Sequence, residues 1–160
     1  MEFKNEAHKR AFEKTRDYLR HIFGEVNVRV LDGIFMMQEG TTFVYVRAFP
    51  ISEKNAGVEV FSYVVVDVDV TADLMRFLLT YNLKLVLGAF GLTVGENGKG
   101  SVLLTHTLLG DHMQPEELYA TVSAIARVAD DLDTQIVAAF GGKTALGKLS
   151  GNLTPAVHWE

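Results

Sequence analysis

Residues 71–110 constrain the fold more than any other stretch, because they predict a helix followed by a tight β-hairpin. The helix places its apolar side chains at the i, i+3, i+4, i+7 spacing that is typical of a helix with one buried side. These positions are Leu74, Phe77, Leu78 and Tyr81. Beyond Asn82, which we expect to end the helix in the left-handed conformation, apolar residues recur at every second position and indicate two strands. The strands flank Asn97-Gly98, a dipeptide that favours a tight hairpin turn.

The rest of the chain supplies two more helices and three more strands. The first helix is predicted over residues 3–23, and the longest helix begins at Pro115 and ends at Gly141-Gly142. The three strands cover residues 28–39 (with a bend at Asp32-Gly33), 41–51 and 58–68. Because the links between these strands are short, we expect neighbouring strands to pair antiparallel.

The predicted order of elements is α-β-β-β-α-β-β-α, which places the chain in the α+β class. We expect an antiparallel sheet with the helices packed mainly on one face. A single domain, residues 1–142, contains all of these elements, and residues 143–160 form a C-terminal tail. A chain of 160 residues is long enough to bury a substantial core in one domain.

Charge and composition exclude several classes of protein. The net charge of -5 argues against a nucleic-acid-binding protein, and the basic residues near the N-terminus alternate with acidic ones. No run of about 18 apolar residues is present, so we expect no membrane span. The chain has no cysteine, which excludes disulfides, thiolate metal sites and cysteine nucleophiles. The N-terminal stretch is charged where a signal peptide is apolar, which predicts a cytoplasmic protein.

The second and third strands predict a sheet that is apolar on both faces, since alternate side chains of a strand point to opposite faces. One set is small and aliphatic and suits packing under helices: Val44, Val46, Ala48, Val58, Val60, Val64 and Val66. The other set is aromatic with a polar fringe: Phe43, Tyr45, Arg47, Phe49, Phe61, Tyr63 and Val65, flanked by Glu59 and Asp67. An antiparallel sheet covered on one face is normally polar on the other, so we expect something to cover the aromatic face.

Three kinds of cover are compatible with the sequence. The first helix or the tail of the same chain could lie on the aromatic face, a second copy could pack there in a homodimer, or a peptide segment of a client protein could bind. Large aromatic side chains and arginine are favoured in protein-binding surfaces. The predicted binding residues are Phe43, Tyr45, Phe49, Phe61 and Tyr63, with Arg47 as a polar selector.

One segment of the tail resembles a nucleotide-binding motif. Residues 142–149 differ from a phosphate-binding loop at one position, because Leu149 stands where the motif needs serine or threonine to hold magnesium. The motif also needs a preceding strand, and here it follows a long helix. A small-ligand or nucleotide sensor that uses this glycine-rich tail is the alternative function.

Two other pairs of side chains are weak candidates for a chemical site. His106 and His112 match no standard zinc spacing, and Asp67 and Asp69 are acids of a kind common at strand ends. No nucleophile elbow is present in the sequence. We therefore predict no enzyme activity, no metal site and no cofactor.

Several segments between residues 58 and 142 carry a family resemblance. They are LMRFLLTYN, GAFGL, VLLTHTLLGD, PEELYATVSAIARVADDLD and FGG. Through these segments the chain resembles the YbjN-type branch of the type III secretion chaperone-like family, although Gln114 replaces a more usual helix cap and the tail has no counterpart. The resemblance implies the same order of elements, a domain that often dimerises, and a non-enzymatic role in binding peptide segments of other proteins. It brings no catalytic residues.

Overall fold

The fold, given by a computed structural model that describes residues 2–40 and 42–145, is one antiparallel sheet with three helices. The helices are α1 (Glu6–Phe23), α2 (Ala72–Asn82) and α3 (Pro115–Phe140), and a short 3-10 helix (Glu25–Asn27) follows α1. The strands are β1 (Arg29–Leu31), β2 (Ile34–Glu39), β3 (Thr42–Pro50), β4 (Ala56–Asp69), β5 (Ala89–Val94), β6 (Lys99–Leu109) and β7 (Lys143–Thr144). Their order across the sheet is β1-β2-β3-β4-β6-β5, and β7 pairs with β4. This architecture confirms the predicted α+β class.

Side-chain caps determine where the first two helices begin. α1 begins at Glu6 rather than at residue 3, because the side chain of Asn5 accepts a hydrogen bond from the backbone N–H of His8 at 2.9 Å. The hydroxyl of Thr71 caps α2 in the same way, through the backbone N–H of Leu74 at 3.2 Å. Within residues 2–40 and 42–145, no helix is long and apolar enough to cross a membrane.

The end of α2 differs from the prediction. Asn82 keeps a helical backbone, so the expected left-handed conformation is wrong. Its side chain instead accepts a hydrogen bond from the backbone N–H of Phe90 at 2.6 Å. The backbone N–H of Leu83 caps the end of the helix by donating to the carbonyl of Thr80 at 3.3 Å. The bond from Phe90 to Asn82 adds a tertiary contact that joins the end of α2 to the start of β5.

The segment that we predicted as one bent strand is a β-hairpin, so four strands precede α2 instead of three. β1 and β2 pair antiparallel, with Leu31 opposite Ile34. The two residues between them, Asp32 (φ 50°) and Gly33 (φ 81°), both adopt the left-handed conformation that a tight two-residue turn requires.

A bulge in β4 changes which residues face the helices. The pairing of β4 with β6 shifts register between Tyr63 and Val65, and again between Val65 and Val68. Val65 therefore joins the core under the helices and not the aromatic face, to which strict alternation assigned it. Asp67, inside the shifted segment, has a positive φ of 56°.

The main core lies between the sheet and the three helices, which all contribute to one contiguous apolar cluster. Its strand side includes Val44, Val46, Val58 and Val60, as alternation predicted. Phe35 of β2 is fully buried there, and its ring stacks on Phe12 of α1 with centroids 4.8 Å apart. The three helices therefore cover one face of the sheet, and none of them covers the opposite face.

After α3 the chain returns to the sheet. Lys143 lies opposite Val66, and Thr144 lies opposite Val65. At Gly142 (φ 86°) the backbone comes so close to β4 that a Cβ atom would lie 2.8 Å from both the Val65 side chain and the Val66 carbonyl oxygen. Strand pairing thus extends to residue 144, past the predicted domain boundary at 142, and residues 146–160 of the predicted tail lie outside the described residues.

Candidate functional site

The sheet face opposite the helices carries aromatic side chains from adjacent strands. Tyr45 of β3 and Phe61 of β4 are cross-strand partners, and their rings stack with centroids 5.3 Å apart and planes 20° apart. Tyr63 stands edge-on to both rings, 6.0 Å from Tyr45 and 6.1 Å from Phe61. Leu103 of β6 lies opposite Tyr63. We call the packed side chains the aromatic cluster: Ile34, Met36, Phe43, Tyr45, Phe61, Tyr63 and Leu103.

The centre of the aromatic cluster is buried, although every member comes from a strand. Tyr45 is 6% exposed, Phe61 3% and Leu103 7%. No helix within residues 2–40 and 42–145 contributes a side chain to the cluster. α1 packs against the opposite face, and this excludes it as the cover that the sequence had left open.

A polar strip borders the aromatic cluster. The Nε of Arg47 donates a hydrogen bond to a carboxylate oxygen of Glu59 at 2.7 Å, between β3 and β4. The hydroxyl of Thr105 on β6 donates to the other Glu59 oxygen at 2.8 Å. The guanidinium carbon of Arg47 also lies 6.0 Å from the ring centroids of both Phe49 and Phe61. The predicted polar selector is therefore already held by an ion pair and by two aromatic rings.

Phe49 belongs to the same strand face but has a packing role of its own. It is the cross-strand partner of Gly57, and its ring fills the space where a Cβ atom of Gly57 would stand. Covering a strand glycine with an aromatic ring protects the backbone that the missing side chain leaves bare. Among the predicted binding residues, the structure thus packs four aromatic ones together and places Phe49 beside Arg47 at the border.

Three members of the aromatic cluster were missed by the sequence analysis. Leu103 lies on a strand whose alternation was recognised, so extending the parity argument from β4 to β6 would have found it. Ile34 and Met36 lie opposite Arg47 and Tyr45, respectively, on β2. They were missed because the β1–β2 hairpin was interpreted as one bent strand.

The sequence of this chain matches a model of one protein family over residues 11–148. The family is TY-Chap1, described as T3SS (YopN, CesT) and YbjN peptide-binding chaperone 1. This chain belongs to the TY-Chap1 family. The match confirms the resemblance to YbjN and to type III secretion chaperones, and it identifies the chain as a chaperone-like module of a peptide-binding family.

Solved structures share this fold over most of the chain. A chain of the ExsC–ExsE complex has a TM-score of 0.55 at 17% identity and covers 77% of this chain and 93% of its own length. A chain of the HopA1–SchA chaperone–effector complex has a TM-score of 0.54 at 15% identity, with 79% and 96% coverage. YbjN from E. coli has a TM-score of 0.54 at 8% identity, with 77% and 91% coverage. Sequence identities this low establish a shared fold and nothing more. A separate comparison with curated proteins found no match to this chain.

Burial of the aromatic cluster changes the acidity of two tyrosines in this TY-Chap1 protein. Burial raises the pKa of Tyr63 to about 12; the neighbouring Tyr45 and Glu59 add to the increase, and Arg47 opposes it. Burial also raises the pKa of Tyr45. Both phenol groups therefore resist ionisation, because a charge at either position would be poorly solvated.

Alkaline conditions are expected to destabilise the protein through Tyr63. An ordinary tyrosine has a pKa of about 10, and folding raises that of Tyr63 to about 12. Between these values the unfolded chain has released the proton and the folded chain has kept it, so the stability that Tyr63 provides below about pH 10 is lost as the pH rises towards 12. Urea unfolding at about pH 9 and about pH 11 measures how much the free energy of unfolding falls between these two pH values. That fall should be smaller in Tyr63→Phe than in the wild type. Tyr119→Phe, at an exposed position, is the control, and equal losses in all three proteins would contradict the expectation.

Asp67 and Asp69, the two acidic residues at the end of β4, take part in surface ion pairs. Asp69 lies 2.7 Å from the Nζ of Lys99, and Asp67 lies 3.8 Å from the Nζ of Lys143. In the part of the chain that the structure describes, no group of three or more histidine, aspartate or glutamate side chains could hold a metal ion. The contact with Lys143 gives Asp67 a role in holding β7 beside β4.

The glycine-rich segment of the alternative function is only partly described. Lys143 and Thr144 form β7, and their backbone groups pair with β4. The remainder of the segment, from residue 146 onwards, lies outside the described residues.

Proposed function

We propose that this protein is a cytoplasmic, non-enzymatic module that binds an apolar segment of a client protein on the aromatic cluster, and that it acts as a homodimer. The observation that carries the proposal is the location of the cluster, on the sheet face opposite the helices. The Arg47–Glu59 pair at its border supplies the polar rim that normally surrounds an apolar binding centre.

The comparisons support the peptide-binding part of this proposal. The family is described as a family of peptide-binding chaperones. Two of the similar structures are complexes with a second protein, and one of them is a chaperone with its effector. Stacked tyrosine and phenylalanine rings suit such a role, because they offer a large contact area and few rotatable bonds.

An exposed apolar stripe on α2 supports the homodimer. Met75, Leu79 and Leu83 follow one another at intervals of four residues, and Val86 continues the stripe. All four side chains are exposed, whereas the other side of α2 is buried in the core. Contiguous exposed apolar side chains of this kind mark interaction surfaces. Because α2 packs on the helix-covered face beside the edge strand β5, a second copy could bind here without covering the aromatic cluster.

Panning a random-peptide display library against the full-length protein tests the binding site. Apolar peptides should be enriched by the wild type. Tyr63→Asp places a charge inside the aromatic cluster and should weaken binding of the enriched peptides at least about tenfold, or about 1.4 kcal/mol. Leu79→Asp is the matched control, since it adds the same charge to the exposed side of α2 and should leave peptide affinity unchanged.

The same two variants test the homodimer with their roles exchanged: Leu79→Asp is the disruptive change, and Tyr63→Asp is the control. In size-exclusion chromatography with light scattering, Leu79→Asp should convert a dimer into a monomer, and Tyr63→Asp should remain dimeric. A folded Tyr63→Asp protein with full peptide affinity would refute the binding site. A monomeric wild type would refute the homodimer and leave the binding site to be judged by the display experiment.

Thermal shift measurements separate this function from the alternative sensor. ATP, GTP and cyclic nucleotides should leave the melting temperature unchanged if the glycine-rich tail is not a nucleotide site. A true ligand at one hundred times its dissociation constant would add about 2.7 kcal/mol of stability, which such measurements readily detect.

A further inference from the structure

We propose that the segment before α1, residues 2–5, is a pH-sensitive strap that the neutral imidazole of His8 holds against the domain and that detaches when this ring is protonated. Three observations support this device, and none of them involves client binding. They are the hydrogen bonds of His8, the burial of its ring, and the position of the strap beside a pocket.

Hydrogen bonds of His8 join the strap to the first turn of α1. The backbone N–H of Lys4 donates to Nδ1 of His8 at 3.3 Å, and the backbone N–H of His8 donates to the side chain of Asn5 at 2.9 Å. The side-chain amide of Asn5 donates in turn to the carbonyl of Ser52 at 3.0 Å, in the loop between β3 and β4. Because Nδ1 of His8 is an acceptor, the single proton of the neutral ring is assigned to Nε2.

The ring of His8 is buried under the strap. His8 is 7% exposed, and its Nε2 has no hydrogen-bond partner among the described residues. The ring of Phe3 stands edge-on to His8, with centroids 5.4 Å apart, and it lies 5.4 Å from the ring of Phe12 on α1. A charge on the His8 ring would therefore lie in a largely apolar site, where it costs free energy.

Protonation of His8 removes one of the bonds that hold the strap. Both nitrogens of an imidazolium carry protons, so Nδ1 can no longer accept the backbone N–H of Lys4. Burial lowers the pKa of His8; the backbone of Ala48 opposes this effect, and the positive charge of Lys4 adds to it. The ring is therefore neutral while the strap is attached, and a bound proton favours release.

Charged groups of both signs face His8 from the elements around it. Glu2 and Lys4 belong to the strap, Asp32 lies in the turn between β1 and β2, and Arg47 lies on β3. The two carboxylates favour an imidazolium, and the two cations oppose it. Since these influences are of opposite sign, burial determines the direction in which the pKa of His8 moves.

The strap forms one side of a pocket at the end of the sheet. This pocket has a volume of about 690 Å³ and lies between the strap, the β1–β2 turn and β3. Glu2 of the strap lines it, together with Ile34, which is also a member of the aromatic cluster. Detachment of the strap removes Glu2 from the pocket and Phe3 from the ring of Phe12. Mild acid would therefore enlarge the accessible surface beside the aromatic cluster.

The attachment of the strap should weaken in one direction of pH. In the released strap His8 has the ordinary pKa of 6.5, and in the attached strap its pKa is lower. Between these two values the released form binds a proton and the attached form does not. The contribution of His8 to attachment is therefore complete above pH 6.5 and is lost as the pH falls from there through the lower value.

Amide hydrogen exchange of the full-length protein, measured by NMR at about pH 7.5 and about pH 5, tests the strap. After correction for the intrinsic pH dependence of exchange, protection of the Lys4 N–H should fall several-fold at the lower pH. Protection of Val60, which is buried in the middle of β4, should not change. Equal protection of Lys4 at both pH values would overturn the inference. Equal losses at Lys4 and Val60 would also overturn it, because the whole domain would then be unfolding.

His8→Asn separates His8 from the other titrating groups. Asparagine supplies an acceptor oxygen for the N–H of Lys4 and cannot be protonated in this pH range, so the pH response should disappear. His21→Asn, at an exposed position on the same helix, is the matched control and should retain the response. A response in His8→Asn as large as that of the wild type would overturn the role of His8.

A second measurement on the wild type decides the case in which His8→Asn loosens the strap at both pH values. Titration of the His8 ring, followed by ¹⁵N NMR, gives the pH at which the ring binds its proton. This midpoint should coincide with the midpoint for loss of protection at Lys4. Midpoints that differ by more than about one pH unit would overturn the inference.

Discussion

Replacing Phe61 with alanine should lower the free energy of unfolding by about 3–5 kcal/mol, the range for removing a fully buried phenylalanine. Phe61 is 3% exposed and stacks on Tyr45, so its removal leaves a cavity in the aromatic cluster. A cross-strand pair on a water-exposed sheet face is worth only about 0.2–1 kcal/mol. The size of the loss therefore reports whether this face is a second core.

Phe35→Ala is the matched control for that measurement. Phe35 is fully buried on the opposite face of the sheet, where it stacks on Phe12. Urea unfolding of the two variants should give losses of similar size. If Phe61→Ala lost about 1 kcal/mol and Phe35→Ala lost several times more, the aromatic cluster would be open to water and the sheet would have one core only.

Gly142→Ala should destabilise the protein by about 2–5 kcal/mol, and Gly141→Ala by only about 1–2 kcal/mol. Both glycines have a positive φ, of 86° and 80°, respectively, which residues with a side chain rarely adopt, and this accounts for a cost of about 1–2 kcal/mol in each variant. Only at Gly142 would the new methyl group meet neighbours, 2.8 Å from the Val66 carbonyl oxygen and 3.1 Å from the Val68 Cβ. Crowding of that kind adds about 1–3 kcal/mol.

The difference in destabilisation between Gly142→Ala and Gly141→Ala reports the cost of crowding where β7 comes close to β4. It should be measured by chemical unfolding, together with hydrogen exchange at Thr144, which should become faster in Gly142→Ala alone. Equal destabilisation by the two substitutions would mean that the backbone can shift at Gly142 without cost.

The sequence predicts an element well where its boundary has a chemical signal of its own. Thr71 caps α2, and Pro115 occupies the first turn of α3. Asn97-Gly98 forms the turn between β5 and β6, where Gly98 has a φ of 75°. Alternation likewise assigned four of the aromatic residues to one face, because β3 and the first half of β4 are regular.

Three features of the fold were not predicted: the β1–β2 hairpin, the bulge in β4 and the strand β7. The first has a local turn signal that was given too little weight, and the other two depend on distant parts of the chain. Asp32-Gly33 is itself a strong turn dipeptide, but short strands on either side made a bend equally plausible. The bulge after Tyr63 has no local signature, since it is defined by how β4 pairs with β6. β7 is too short to show any periodicity, and its pairing depends on the arrival of α3 beside β4.

The position of β4 in the sheet also bears on how the protein folds. β1, β2, β3 and β4 form a meander in which each strand pairs with the next, and β5 pairs with β6 in a separate hairpin. Among the strands of residues 2–40 and 42–145, only the pairing of β4 with β6 joins these two halves of the sheet. Even the nearest partners in that pairing, Asp69 and Lys99, are 30 residues apart. Local hairpins close short loops early, whereas this junction must close a long one, so we expect it to limit the folding rate. Substitutions in the β4–β6 ladder should therefore slow folding, and substitutions in the outer hairpin β1–β2 should mainly accelerate unfolding.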